Sequence, residues 1–373
     1  MTTKSKLNPN RLKLARIRRQ LTIRALAEEV GMSSRMISLY ENGKNEHDIP
    51  AETIENIATA LNFPIEFFFG EDIEPLDPDT VSFRSFKSMR AAQRDAALGA
   101  GSIAIHFSDW LDNNTNFKLP KTNLADLRGV DPETAASSLR SEWGLGVKSI
   151  RNMIHLLELH GVRIFSLSEE NKEVDAFSFW KDNLAFVFLN TFKSAERSRF
   201  DAAHELGHLV LHKHSGITKG KEVESEADQF ASAFLMPAES VKALAPRLPN
   251  LRVLIKLKKA WNVSLAALVR RLKDLGLISD WQYRSLNIEM SKSGMLRNEP
   301  DSIDREQSQL LTKVFSRLRD QGITKYKIAE SLQIPIKEFE NLVFGLAFIG
   351  STVSDTKYLY SAPKERPTLK IVR

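Results

Sequence analysis

The sequence predicts a mainly α fold with a small β-sheet, the α+β class. Apolar residues recur at helical spacing through most of the 373 residues. Residues that cap and stop helices bracket those runs. Residues 162–189 break the pattern with three short runs rich in β-branched and aromatic side chains.

The elements follow in order. Leu12, Leu14, Ile17 and Leu21 mark a first helix, and Thr22 can cap a second over residues 23–30 that Gly31 ends. Ser33 can cap a third, stopped by Asn42-Gly43, and Pro50 sits at the entry of a fourth over 51–61. Phe63, Phe67, Phe68 and Phe69 add apolar bulk, so residues 1–70 read as a domain of five short helices. Residues 71–80 are acidic with two prolines and read as a linker; 81–118 reads as helical. A helical pair is expected at 132–143 and 147–160, then strands at 162–167, 174–180 and 184–189, the last two joined by a turn at Asp182-Asn183. Helices at 195–212 and 222–235 flank a basic loop, 213–221, and the second stops at Met236-Pro237. Residues 238–345 are again helical by pattern, and the tail from Gly350 is polar and irregular. The expected partition is 1–70, a linker and helical segment over 71–120, a domain over 121–245, and a helical C-terminal region over 246–373.

Composition narrows the class. Hydrophobic residues make up 42%, enough for globular folding, and the length suits two or three domains. The net charge is +6, but the first 44 residues alone hold ten basic and three acidic side chains. A concentrated basic patch suits a phosphate backbone. There is no cysteine, so disulfides and thiolate metal sites are excluded. The N-terminal stretch lacks the apolar core of a secretory signal, and no run approaches the ~18 apolar residues of a membrane span. A cytoplasmic protein with no membrane partner is the expectation.

The strongest chemical signal is His204-Glu205-Leu206-Gly207-His208. Residues four apart share one face of a helix, so the two imidazoles can grip one zinc ion with Glu205 beside a bound water. Hydrolytic zinc takes three protein ligands and keeps one position open. Glu224, on the following helix, is the best third ligand and Glu226 the second choice; Asp228 can orient a ligand histidine from behind. His212 lies ~12 Å along the axis from His204, too far to share the ion. His214 would fit only if a glycine broke the helix at position 211, which is Leu. Glu205 is the candidate general base. A strand edge beside this helix, such as 184–189, could also hold an extended peptide, although the same run reads slightly better as plain core.

The runs ERSRFDAAHELGHLVLH and EVESEADQFASAFLMP resemble the ImmA/IrrE family of zinc metallopeptidases. The resemblance implies a zincin-like fold, His204, His208 and Glu224 as ligands of Zn2+, Glu205 as the catalytic residue and a repressor protein as substrate. Asp228 stands where that family more often has Asn.

The segment TIRALAEEVGMSSRMISLYENGK has the layout of a helix-turn-helix, with Ala25, Leu26, Val30, Ile37 and Leu39 for packing and Gly31 for the turn. Over residues 9–69 it resembles the phage-repressor (XRE, Cro/C1-type) family. On that pattern Ser34, Arg35 and Ser38 face bases, while Thr22, Ser33, Asn42 and Lys44 face phosphates. Position 23 is Ile, where the family often has Gln for a phosphate contact. Residues 323–345 echo the same layout faintly, and helical core spacing accounts for the same letters.

Together these imply a regulator that binds a double-stranded DNA operator as a homodimer and cleaves a repressor protein, a partner or its own kind. Two rivals stand beside it: a non-catalytic transcription factor whose zincin-like domain senses a signal or is structural, and an antitoxin-like binding module. An open zinc position with a groove beside it favours the enzyme; a plugged cleft favours the rivals.

Overall fold

Four capped helices and a short 3-10 helix build the N-terminal end. The computed structural model describes residues 7–45, 48–78, 81–83, 90–114, 119–167, 176–213 and 220–348. Helix α1 (Pro9–Arg18) starts at Asn8, whose side-chain oxygen accepts from the Asn10 and Arg11 amides. The Thr22 hydroxyl accepts from the Ala25 amide to open α2 (Ile23–Glu29), and the Ser33 hydroxyl accepts from the Met36 amide to open α3 (Ser34–Glu41). Helix α4 (Ala51–Leu61) ends on Asn62 in the left-handed region, and the 3-10 helix Ile65–Phe69 follows. Leu12, Leu26, Ile37, Ile57, Leu61 and Phe67 are fully buried between them.

The sheet has four strands in the order β1 (Val81–Phe83), β3 (Ala176–Lys181), β4 (Leu184–Leu189) and β2 (Arg163–Ser166). β2 runs parallel to β4, and the other pairs are antiparallel. Asp182 and Asn183 take positive φ, 47° and 64°, as the two-residue hairpin between β3 and β4 requires. One expectation needs correction here, and of the two readings of 184–189 the core one holds. Residues 81–83 are a strand, not helix; three residues are too few for a period-two pattern to show in sequence. Residues 184–189 form a central strand paired on both sides, so they offer no edge to a peptide.

The strand residues alternate between two cores. Phe165, Phe177, Phe179, Phe186 and Phe188 face one cluster, and Ile164, Ala176, Ala185, Val187 and Leu189 face the other. On the aromatic face, cross-strand partners stack: Phe177 on Phe188 at 4.5 Å and Phe179 on Phe186 at 5.0 Å between ring centroids. This face is covered by α5 (Ala91–Asn114), whose Phe107 meets the Phe165 ring at 6.1 Å.

The opposite face carries α6 (Pro132–Glu142), α7 (Met153–Leu159), α8 (Ala195–Leu211) and α9 (Lys221–Leu235). Helix α7 starts later than the pattern suggested, because Asn152 caps it through the His155 amide. Helices α10 (Ala238–Leu244), α11 (Leu251–Leu257), α12 (Leu265–Asp274) and α13 (Asp280–Lys292) contribute Val241, Leu254, Leu268 and Leu286 to this second core. Helices α14 (Gln309–Asp320), α15 (Lys325–Ser331) and α16 (Ile336–Val343) instead pack with the N-terminal helices and α5 in the first core. The C-terminal region therefore serves two cores. The acidic stretch after Gly70 is not a free linker either. Ile73 and Leu76 are buried, and the Leu76 amide donates to Ser102 on α5 at 3.1 Å.

Candidate metal centre and nucleic-acid interface

Helix α8 opens at Ser194, whose hydroxyl accepts from the Arg197 amide, and carries His204, Glu205 and His208 into the interior. Helix α9 lies against it and brings Glu224 to the two rings. The donor atoms of His204, His208 and Glu224 all lie within 4.8 Å of one another. His204 Nε2 is 3.0 Å from His208 Nε2 and 3.3 Å from Glu224 Oε2, and His208 Nε2 is 3.7 Å from Glu224 Oε1. A tetrahedral zinc with bonds of ~2.0–2.2 Å sets its ligand atoms roughly 3.4 Å apart, within this span. Glu224 Oε2 is buried without a hydrogen-bond partner. Two imidazoles and one carboxylate, with an orphaned buried oxygen, fit a catalytic-type zinc site.

Each histidine is held from behind. His204 Nδ1 lies 2.9 Å from Asp228 Oδ1. His208 Nδ1 lies 3.0 Å from His212 Nδ1, and His212 Nε2 lies 2.8 Å from Glu226 Oε2. His212 and Glu226, weighed above as ligands, thus stand one shell out as a relay that orients His208. His214 lies outside the described residues. Burial disfavours a charged His204, yet Asp228, Glu224 and Glu205 outweigh it and raise its pKa to about 9. Such a ring welcomes positive charge, whether proton or metal.

Glu205 is fully buried. Burial raises its carboxyl to about 8 against the opposing pull of His204 and Ser178. Ser178 on β3 donates its hydroxyl to Glu205 Oε2 at 2.6 Å, while Glu205 Oε1 has no hydrogen-bond partner. One oxygen is anchored and the other is left for a ligand. Sequence reasoning missed Ser178, because a lone serine in a strand carries no signal. It also missed why Gly207 is glycine. A Cβ there would sit 3.1 Å from Phe230 Cδ1 and 3.3 Å from Ala227 Cα, so its absence lets α9 approach closely enough to deliver Glu224.

At the other end, Thr22, Ser33, Ser34, Arg35, Asn42 and Lys44 are exposed on the start of α2, the outer side of α3 and the turn after it. Ser38 is half-buried, with the Asn42 amide on its carbonyl at 2.6 Å and on its hydroxyl at 3.3 Å. Between α1 and α3, Arg16 grips Glu41 with two hydrogen bonds of 2.6 and 2.8 Å and fixes their angle.

The helix-turn-helix family model matches residues 12–68. The model of the IrrE N-terminal-like domain, a peptidase family, matches residues 157–273. The chain joins a helix-turn-helix domain to an IrrE-like domain. No curated protein matches the chain. The helix-turn-helix match runs from within α1 into the 3-10 helix, and the IrrE-like match contains the whole His204, His208 and Glu224 cluster. The first match points to DNA binding and the second to a metallopeptidase-like domain. Among the described residues, no helix is long and apolar enough to cross a membrane.

The helix-turn-helix domain spends its basic residues differently from the expectation. Arg11 donates to the Glu71 carbonyl, Arg16 to Glu41, and Arg18 and Arg19 to Glu338 of α16. These four charges hold the domain to itself and to the rest of the chain. Lys13, Arg24, Arg35 and Lys44 remain exposed, Arg24 with a hydrogen bond to Glu28 at 2.8 Å.

Proposed function

We propose that the protein is a cytoplasmic transcriptional regulator whose IrrE-like domain is a zinc-dependent endopeptidase acting on a repressor protein. The observation that carries this is the convergence of His204, His208 and Glu224 donor atoms beside the free oxygen of Glu205. A bound zinc ion would supply Lewis acidity to the scissile carbonyl. Glu205 takes the proton of the attacking water on its free oxygen and passes it to the leaving amine. Ser178 holds the other oxygen, and Asp228 and His212 keep the two imidazoles in orientation. The helix-turn-helix domain brings this chemistry to an operator, with Ser34, Arg35 and Ser38 at base edges and Thr22, Ser33, Asn42 and Lys44 at phosphates. Paired half-sites would be read by a homodimer.

The test joins metal analysis of the purified protein to incubation with repressor proteins encoded nearby. Wild type is expected to hold one zinc per chain and to cut its substrate; Glu205→Gln is expected to keep the zinc and lose the cut. Undiminished cleavage by that variant removes Glu205 from the mechanism. The non-catalytic reading draws on one observation. The outer edge of β3, the strand whose Ser178 touches Glu205, is already paired with β1. On that reading both proteins hold zinc, bind DNA alike and cut nothing.

A further inference from the structure

From the end of its first helix onward, the unit α14, α15 and α16 repeats the geometry of α1, α2 and α3 at a constant offset of 302 positions. Helix α1 ends at Arg18 and α14 at Asp320. Gln20 and Gly322 then both take positive φ, 55° and 72°. The Leu21 amide donates to Arg16 at 3.2 Å, and the Ile323 amide to Leu318 at 2.8 Å. The Thr22 hydroxyl caps α2 through Ala25, and the Thr324 hydroxyl caps α15 through Lys327. Gly31 and Gln333 share a left-handed turn, φ 67° and 57°, after which Met32 donates to Ala27 at 2.8 Å and Ile334 to Ala329 at 3.0 Å. Helix α3 is Ser34–Glu41 and α16 is Ile336–Val343, with Gly43 and Gly345 both at positive φ beyond them. Leu26, Ala27, Ile37 and Tyr40 are buried, as are Ile328, Ala329, Phe339 and Leu342 at the matching positions. Single capped turns recur throughout any helical protein. A gapless run of them in one order, from 18 to 43 and from 320 to 345, makes a second helix-turn-helix unit, beyond the 12–68 match.

The surface chemistry of the two units differs. Pro335, Ile336, Glu340, Phe344 and Leu346 stand where the first unit has Ser33, Ser34, Ser38, Asn42 and Lys44. Proline has no hydroxyl for a phosphate, and Glu340 repels one while binding Lys325 at 2.6 Å. Position 36 in the first unit is a methionine, 37% exposed; its counterpart Glu338 is 4% exposed. Glu338 is turned inward, where Oε2 accepts from Arg18 at 2.9 and 2.7 Å and Oε1 accepts from Arg19 at 2.6 Å. The ion pair Arg16–Glu41 of the first unit is replaced by Leu318 and Val343, both buried.

We propose that α14–α16 is a second helix-turn-helix unit that does not read DNA and instead clamps the first, using the helix that corresponds to the DNA-reading helix to hold the end of α1. One chain then presents one reading head, fixed in position over α5 and the sheet. The DNA half of this inference rests on the proposed function; the clamp does not.

Two measurements on the full-length protein test it. Duplex DNA is first selected from a random-sequence pool by the wild type. Arg35→Glu is expected to weaken binding to that duplex about tenfold or more, and Lys337→Glu, at the matching exposed position, to leave it within about twofold. Equal losses would make α14–α16 a second reading head and overturn the proposal. Hydrogen exchange is then compared in Glu338→Gln and, separately, Arg19→Ala. Amides at the end of α1 and the start of α16 are expected to exchange about tenfold faster, with α8 unchanged. Unaltered α1 exchange in both variants overturns the clamp. A wild type that captures no duplex sinks the operator reading, and the exchange measurement then decides the clamp alone.

Discussion

Gly207 has no side chain because α9 lies where one would go. A Cβ at that position must push Phe230 and the Ala227 backbone, at 3.1 and 3.3 Å, outward by a few tenths of an ångström. Gly207→Ala is therefore expected to cost about 1–3 kcal/mol, the usual range for overpacking a tight contact. On the proposed function it should also weaken zinc retention, since Glu224 rides on the displaced helix. Thermal unfolding and a chelator competition read both; a variant as stable and as metal-tight as wild type would show that the contact relaxes freely. On the same reading Ser178→Ala is expected to spare zinc binding and lower turnover, because Glu205 Oε2 loses its 2.6 Å anchor. Ser178→Thr keeps the hydroxyl and should restore part of the rate; equal rates in both variants would remove Ser178 from any positioning role. These residues also show what the sequence could tell. The spacing of His204, Glu205 and His208 was legible because helical periodicity is local. Ser178 and the close Gly207–Ala227 approach were not, because each is defined by an element distant in sequence.

At the scale of elements, capping residues did most to make the helices readable. Thr22 and Ser33 mark the starts of α2 and α3, and the hydroxyl-to-amide bond at Thr22 is 3.0 Å. Thr22→Ala is expected to cost about 0.5–2 kcal/mol, while Thr22→Asn keeps a side-chain acceptor and should cost little. Chemical denaturation with a far-ultraviolet readout separates them; matched stabilities would mean that the cap is redundant. Where elements were misread, the cause was length or context. Residues 81–83 are too few to betray a strand, and residues 71–78 look like a linker until Ile73 and Leu76 are seen buried. The basic excess of the first 44 residues looked like one DNA-facing patch. Arg11, Arg16, Arg18 and Arg19 proved to be internal fasteners, a distinction that charge alone cannot make.

For the whole molecule, the consequence is mechanical continuity. The aromatic face of the sheet, α5, the N-terminal helices and α14–α16 share one core, while the other face of the same sheet supports α8 and α9. Gly99 on α5 admits the Arg18 side chain, whose Cδ would lie 2.9 Å from a Cβ there, and Arg18 in turn reaches Glu338. Unfolding at neutral pH is therefore expected to be one cooperative transition, with reporters in the helix-turn-helix domain and beside His204 melting together. Burial alone would raise the Glu338 carboxyl, but Arg18 and Arg19 outweigh it and hold it below the ordinary carboxylate range. A carboxyl depressed in the folded state contributes stability that is complete above its unfolded pKa, about 4.3, and is lost as pH falls through the lower folded value. Acid below about pH 4 should therefore loosen the helix-turn-helix domain. Glu338→Gln, which removes the linked proton, should flatten that part of the pH dependence. Calorimetry across pH 3–7 with wild type and Glu338→Gln makes the comparison. Two well-separated transitions in the wild type at neutral pH would break the argument, because they would show the helix-turn-helix domain melting independently of the sheet that supports α8 and α9.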